Sequence, residues 1–370
     1  MIFLSVSSVM NTVLAVLLAI LILLVMITVH EFGHYVAGKI LKFKINEFAI
    51  GFGPKLFRRT SKKTGEAFSV RLFPLGGFCA FDGEDAEGLN PGSFNNKAPW
   101  KRIIVLISGP LMNYLLAMLL IIISFFAFGQ MLFKVGSVVP EINESYAEYS
   151  LKEGDMICDV EGRGIYLTAD LMTALNGKAE GDVVEMVVLR DGNREEVEIM
   201  LRGDCNFKNS EEMSKMWRAL GIGTYEGEDG NNYWDVGVAT HRFGFFETIG
   251  RSFMYSFRIA GTIFKVLGEL LTGRLGLSAM GGPVTTIKLT SQIASQSVQS
   301  FFEIASYIGV NLAVFNLLPI PALDGSKVVF CLIEAIFRKP VPRKIEAVIH
   351  AVGFVLILGF AVLADILQFI

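Results

Sequence analysis

Four stretches of the chain are apolar for longer than a globular core helix needs: residues 13 to 29, 103 to 128, 304 to 320 and 347 to 367. A hydrocarbon core about 30 Å thick takes roughly 20 residues of helix to cross, so each is expected to span a membrane. Only the third is interrupted by several polar residues and prolines. Between the first two the pattern changes to period two, over residues 45 to 52, 66 to 73 and 77 to 81, with Gly and Pro as punctuation. That predicts short strands or hairpins beside the membrane, followed by a polar surface loop over 82 to 100. Residues 135 to 202 read as a small α+β domain. It has a strand inside 154 to 162, a short helix over 168 to 175, and a hairpin of 183 to 189 with 197 to 201 about the turn Asp191-Gly192-Asn193. Residues 203 to 240 show no period. Residues 243 to 275 mix aromatic and aliphatic positions with Arg251, Arg258, Lys265 and Glu269, which predicts an amphipathic helix on the membrane surface rather than a fifth span.

The expected organisation is a first span within 1–37, a β region at 38–101, a second span at 102–129, the α+β domain at 135–202 and a linker with surface helices at 203–300. A third span at 301–325, a loop at 326–346 and a fourth span at 347–369 follow. Composition agrees, since 52% of the 370 residues are hydrophobic and only 19% charged, far from a soluble domain. The first span resembles a secretory signal core in position. Yet no Lys or Arg precedes it, it is too long, and it runs into a polar motif, so it reads as retained.

Net charge is −3, but its distribution says more than its sum. Lys39, Lys42, Lys44, Lys55, Arg58, Arg59, Lys62, Lys63, Lys101 and Arg102 lie between the first two spans, and Arg338, Lys339, Arg343 and Lys344 between the last two. The positive-inside rule puts both loops in the cytoplasm, with the acidic segment 134 to 240 and both termini outside. Cys79, Cys158, Cys205 and Cys331 are far apart and form no C-x-x-C pair, so neither a thiolate zinc site nor a disulfide framework is indicated.

The strongest local signal is His30-Glu31-Phe32-Gly33-His34. Residues four apart share one face of a helix, so both imidazoles reach one ion while Glu31 stays beside its open position. Two nitrogens and one carboxylate, with water as fourth ligand, suit zinc. The ion brings the pKa of that water to about 7, and Glu31 takes its proton and returns one to the leaving amine. The motif ends a membrane span, where ionisable residues are costly and functional by default. A third ligand must come from elsewhere. Glu47 falls in a strand-like stretch. The better candidate is Asp324, in Asn316-Leu-Leu-Pro-Ile-Pro-Ala-Leu-Asp324-Gly325, where Pro319 and Pro321 break the third span. A turn-forming Asp before Gly would fit that dipeptide equally well. His241 and His350 match no catalytic motif and read as a linker residue and a helix-end residue.

These motifs, with Gly51-Phe52-Gly53, Pro74-Leu-Gly76-Gly77 and Gly109-Pro-Leu-Met-Asn113, give the chain a specific resemblance to the site-2 proteases. The match is to their bacterial branch of metalloproteases of regulated intramembrane proteolysis, which carry one PDZ domain. The resemblance implies an α-helical polytopic membrane protein with four transmembrane helices, a membrane-reentrant β-hairpin sheet and an inserted PDZ-like domain at 135–202. It implies one zinc ion held by His30, His34 and Asp324, with Glu31 as catalytic base. Substrate would be handled by Gly51, Phe52, Gly53, Gly76 and Gly77, and contacted near the metal by Asn316; Asn113 serves only to join its helix to a neighbour or has a role left open. Substrates would be single-pass membrane proteins such as trimmed anti-sigma factors or signal-peptide remnants, in a bacterial cytoplasmic membrane, with no nucleic-acid partner. The PDZ-like domain would exclude untrimmed substrates. One departure is Ser326, where the family pattern commonly has a second Gly. Two other readings make different predictions: a CAAX-processing or HtpX-like membrane zincin with a Glu ligand, and a non-catalytic PDZ-bearing scaffold.

Overall fold

An unbroken run of apolar residues has no reason to leave the helix, because in hydrocarbon only a helix satisfies every backbone group within one segment. The structure, a computed structural model, describes residues 6–84, 91–139, 149–276 and 281–369. Parts of several expected segments lie outside the described residues: 1–5 of the first span, 85–90 of the polar loop, 140–148 of the α+β domain and 277–280 of the linker. Helix α1, Val6–Ile40, runs through the His-Glu motif without a break and ends beyond the expected residue 37. Lys42, at φ 59°, turns the chain out of it.

Strands β1 (Ile45–Thr60) and β2 (Ala67–Phe81) follow. Both bend back. Residues 55–60 pair antiparallel with 67–71, and 45–50 with 77–81, while Phe48 faces Cys79 on one side and Phe68 on the other. The three short strands expected from the pattern are thus arms of two long ones. The bends fall at Gly51 and Gly53, at φ 87° and 83°, and at Gly76, at φ 154°, conformations that a side chain resists. Helix α2 (Pro99–Phe128) stops at Gly129, whose φ of 90° and N–H bond to the Phe125 carbonyl close the last turn.

The chain divides into two compact units, Ile122–Gly276 and the combination of Met1–Ile121 with Leu277–Ile370. The continuous unit is built on a six-stranded sheet. Its strands are β3 (Gln130–Val135), β4 (Met156–Val160), β5 (Arg163–Gly164), β6 (Val183–Arg190), β7 (Asn193–Met200) and, after the separate hairpin of β8 (Thr224–Glu226) and β9 (Asn232–Trp234), β10 (Val236–His241). The order is β10-β3-β4-β6-β7, with β5 against β4. Helices α3 (Thr168–Leu175) and α4 (Met213–Ala219) cover it, and Ile157, Leu171, Val188, Ile199 and Trp217 share one core. The expected boundary of 135–202 is therefore too narrow. Strand β10 pairs with β3 over Val236↔Val135 to His241↔Gln130, and a partner that distant leaves no local signal. Helix α5 (Phe245–Leu271) buries Thr248, Ser252, Ser256 and Ile259 on one face and exposes Phe246, Phe253 and Phe257 on the other.

The remaining helices complete the discontinuous unit. Helix α6 (Pro283–Ala294) lies within the stretch expected to hold a linker and surface helices, and its Ala294 clusters with Ile22 and Met26 of α1. Helix α7 (Val298–Leu317) starts on Ser297, whose hydroxyl accepts from the Ser300 N–H, and ends before Pro319. Contrary to the expected third span through 325 and loop at 326–346, a separate helix α8 occupies Asp324–Phe337. Val328, Cys331 and Ile103 join one cluster, so packing along this face holds the segment helical. Helix α9, Arg343–Phe369, begins a turn before the expected residue 347. Val13–Ile40, Pro99–Phe128, Val298–Leu317 and Arg343–Gln368 are the four described helical segments long and apolar enough to cross a membrane.

Candidate metal centre

His30 and His34 lie one turn apart on α1 and are both buried, with ring centroids 4.7 Å apart and edge to face. Their Nε2 atoms approach to 3.1 Å. Asp324, the first residue of α8, brings Oδ2 to 3.0 Å from His30 Nε2 and 3.3 Å from His34 Nε2. The ligand atoms of all three lie within 4.8 Å of one another. His34 Nδ1 is 2.8 Å from the Val105 carbonyl, which only accepts, so Nδ1 carries the proton and Nε2 turns its lone pair to the cluster. Two imidazole nitrogens and a carboxylate oxygen converging on one point suit a tetrahedral zinc site with one position open.

Close helix packing makes the convergence possible. A side chain at Gly109 of α2 would collide with His34 Nε2 and stand 3.0 Å from His30 Cε1, so only glycine leaves the imidazoles their space. One at Gly33 would run into the Ser108 carbonyl and come within 2.9 Å of Met112 Cγ, which seats α1 on α2. At Gly325 it would strike the carbonyls of Leu317 and Leu318, so the end of α7 and the start of α8 touch backbone to backbone. The connection between them is held by α9. Ala322, at φ 76°, donates its N–H to His350 Nδ1 at 2.9 Å, and Gly353 lets Pro321 pack against that helix. His350 is thus a positioning residue for the Asp324 turn, which its lone place in the sequence did not reveal. His241 lies in β10 with its ring on Phe243.

Glu31 faces β2: a side chain at Gly77 would sit 3.5 Å from Glu31 Cγ and 2.9 Å from the Ala49 carbonyl. The bend at Gly76 is covered by the Phe52 ring, which would collide with a side chain there, and Phe52 stacks over Phe78 at 6.4 Å while staying 47% exposed. Gly51, Phe52 and Gly53 form the facing bend of β1. Asn316 is half-buried near the end of α7 and is not one of the three clustered residues.

A model of Peptidase family M50 matches residues 18–360. A protein of Clostridium perfringens is 34% identical over 92% of this chain and 94% of its own length. One from Nostoc sp. is 30% identical over 94% of each, and one from Fusobacterium nucleatum 28% identical over 95% of this chain and 97% of its own. Each of the three bears the name "Putative zinc metalloprotease". With a match over nearly its full length, a multi-pass set of apolar helices and a His-Glu motif inside the first of them, this chain belongs to peptidase family M50, the site-2 proteases, which are membrane metalloproteases.

Proposed function

We propose that the chain is an intramembrane zinc endopeptidase that hydrolyses peptide bonds in or near the spans of single-pass membrane proteins. The observation that carries this reading is the convergence of His30, His34 and Asp324 beside Glu31 on helices of membrane-spanning length. These three residues would hold the ion, which when bound supplies a Lewis acid and brings the pKa of a coordinated water to about 7. Glu31 would accept the proton of the attacking water and deliver one to the leaving amine. A substrate helix hides its carbonyls in its own hydrogen bonds and must be drawn out before attack. The Gly76–Gly77 stretch of β2, beside Glu31 and facing Gly51, Phe52 and Gly53, offers a strand on which to lay an extended segment, and Asn316 an amide for its backbone.

Anti-sigma factors already trimmed outside the membrane, or signal-peptide remnants, fit such a site. The basic loops favour the bacterial cytoplasmic membrane with both termini outside. The sheet unit would act as a PDZ-like module, and α5, with its exposed aromatic face, would rest on the lipid surface. The test is zinc content and cleavage of a single-pass substrate in detergent by wild type, Glu31→Gln and Asp324→Ala. About one zinc per wild-type chain is expected, retained by an inactive Glu31→Gln and lost with activity from Asp324→Ala. Full zinc and cleavage in Asp324→Ala would sink the reading. So would a wild type that binds no metal.

A further inference from the structure

The two imidazoles of the metal centre are not supported alike. His34 rests its Nδ1 on the Val105 carbonyl at 2.8 Å. His30 Nδ1 is buried and has no hydrogen-bond partner among the described residues. A ligating histidine almost always gives its second N–H to an acceptor, which fixes the ring and raises its basicity. One half of the pair meets that requirement, and the other half does not.

An acceptor of the right kind is buried in the facing helix. Asn113 of α2 is 1% exposed, and its Oδ1 and Nδ2 both lack partners among the described residues. An amide taken out of water with neither end bonded costs free energy that packing alone gives no reason to spend. Its level in the bundle follows from the close contacts. Gly33 of α1 packs on Ser108 and Met112, whereas Met26 and Ala117 both touch Gly309 of α7. The helices therefore run past each other with residues near 30 opposite residues near 113. His30 turns its Cε1, the atom bonded to both ring nitrogens, toward Gly109, one turn before Asn113. Side chains on a helix lean back over the turn that precedes them, which brings the Asn113 amide toward Gly109 and the His30 ring.

We infer that Asn113 is the positioning residue of His30, its Oδ1 accepting the Nδ1–H through one bridging water, the counterpart of the Val105 carbonyl that supports His34. The inference rests on His30 being a zinc ligand. Asn113 touches neither metal nor substrate. It would act by holding the imidazole in the tautomer that leaves Nε2 free.

The experiment is a chelator competition for zinc on the full chain in detergent, with thermal unfolding of the chelator-stripped protein alongside. Asn113→Leu keeps the shape and removes both polar atoms, Asn113→Asp keeps an acceptor, and Ser124→Ala removes another unpartnered buried group about three turns along the same helix. The expected result is about 10- to 100-fold weaker zinc binding in Asn113→Leu, with the stripped protein at least as stable as wild type. Asn113→Asp is expected to bind within a few-fold of wild type, and Ser124→Ala to match it. Wild-type affinity in Asn113→Leu overturns the inference while leaving the zinc site standing. Equal loss in the Leu and Asp variants together with a less stable stripped protein also overturns it, because Asn113 is then only packing. Failure of wild type to bind zinc removes the metal reading and this inference with it.

Discussion

The two units solve the burial problem with opposite polarity. In the continuous unit the core shared by sheet and helices is apolar, with Ile157, Leu171, Val184 and Ile199 buried, and β7 turns Glu196 and Glu198 outward. In the discontinuous unit His30, His34, Arg102 and Asn113 are inside, while Leu14, Leu17 and Leu21 of α1 and Val355, Leu356 and Leu358 of α9 face out. One sequence has folded for two solvents. Where the surroundings are hydrocarbon there is nothing to gain by hiding leucine, so helices associate through small residues and tight contacts, as at Gly33, Gly109 and Gly309.

The largest effect that sharpens this contrast lies at an ion pair rooted in the sheet core. Asp155 is fully buried and binds Arg190 through two bonds of 2.8 Å. Asp155→Ala should cost about 3–5 kcal/mol by removing a buried carboxylate that binds Arg190 twice and accepts the Lys152 N–H, leaving Arg190 with Glu195 at 2.8 Å, read from Trp217 fluorescence during denaturant unfolding. Next comes a matched pair of surface changes. Leu356→Asp on the outer face of α9 should cost about 2.5–3.5 kcal/mol in a membrane-insertion assay. Val183→Asp, on a β6 residue that is 42% exposed, should move stability by no more than about 0.5 kcal/mol. Equal, silent outcomes would break the comparison. Arg194, half exposed, bridges Asp159 at 2.8 Å and Glu247 at 3.3 Å, and Arg194→Ala should cost only about 0.2–1 kcal/mol, shrinking in salt.

The smallest effect is one of pH. Burial raises the carboxyl of Asp170 above its ordinary value, against the pull of the Leu167 and Tyr166 amides that it caps. The folded state then binds this proton more tightly than the unfolded chain does. Stability from this group falls as pH rises through the window between the ordinary and the raised value, and returns on acidification. Asp170→Asn should remove that slope from the difference between the two stability–pH curves.

Legibility in the sequence followed the range of the forces involved. The presence of four apolar helices was legible because membrane thickness demands long apolar runs, and the His-Glu pair because helical spacing alone aligns it, whereas the third helix ends at Leu317 rather than 325. The arms of β1 and β2 were readable through their period. Their folding back was not, since Phe48 meets Phe68 and Cys79 only after the bends at Gly51 and Gly76 are made. Helix α8 was missed because Asp324-Gly325-Ser326 looks like a turn, and its helical face is defined by packing with Ile103. Gly109 stood out as part of a motif though its closeness to the imidazoles did not, while Val105 and His350 support the site through a carbonyl and a hydrogen bond to a distant turn, neither of which has a signature in one dimension.

The start of α8 at Asp324 separates the carboxylate from the imidazoles by almost the whole chain, so the cluster exists only once the first and last segments have met. An ion shared by the three would work as a clasp. Its affinity would be felt by the assembly as RT ln(1 + [L]/Kd), about 4 kcal/mol at a thousandfold excess over Kd. Metal supply to such a protein would then govern not only its chemistry but how long its N- and C-terminal spans stay together, and so its lifetime in the membrane.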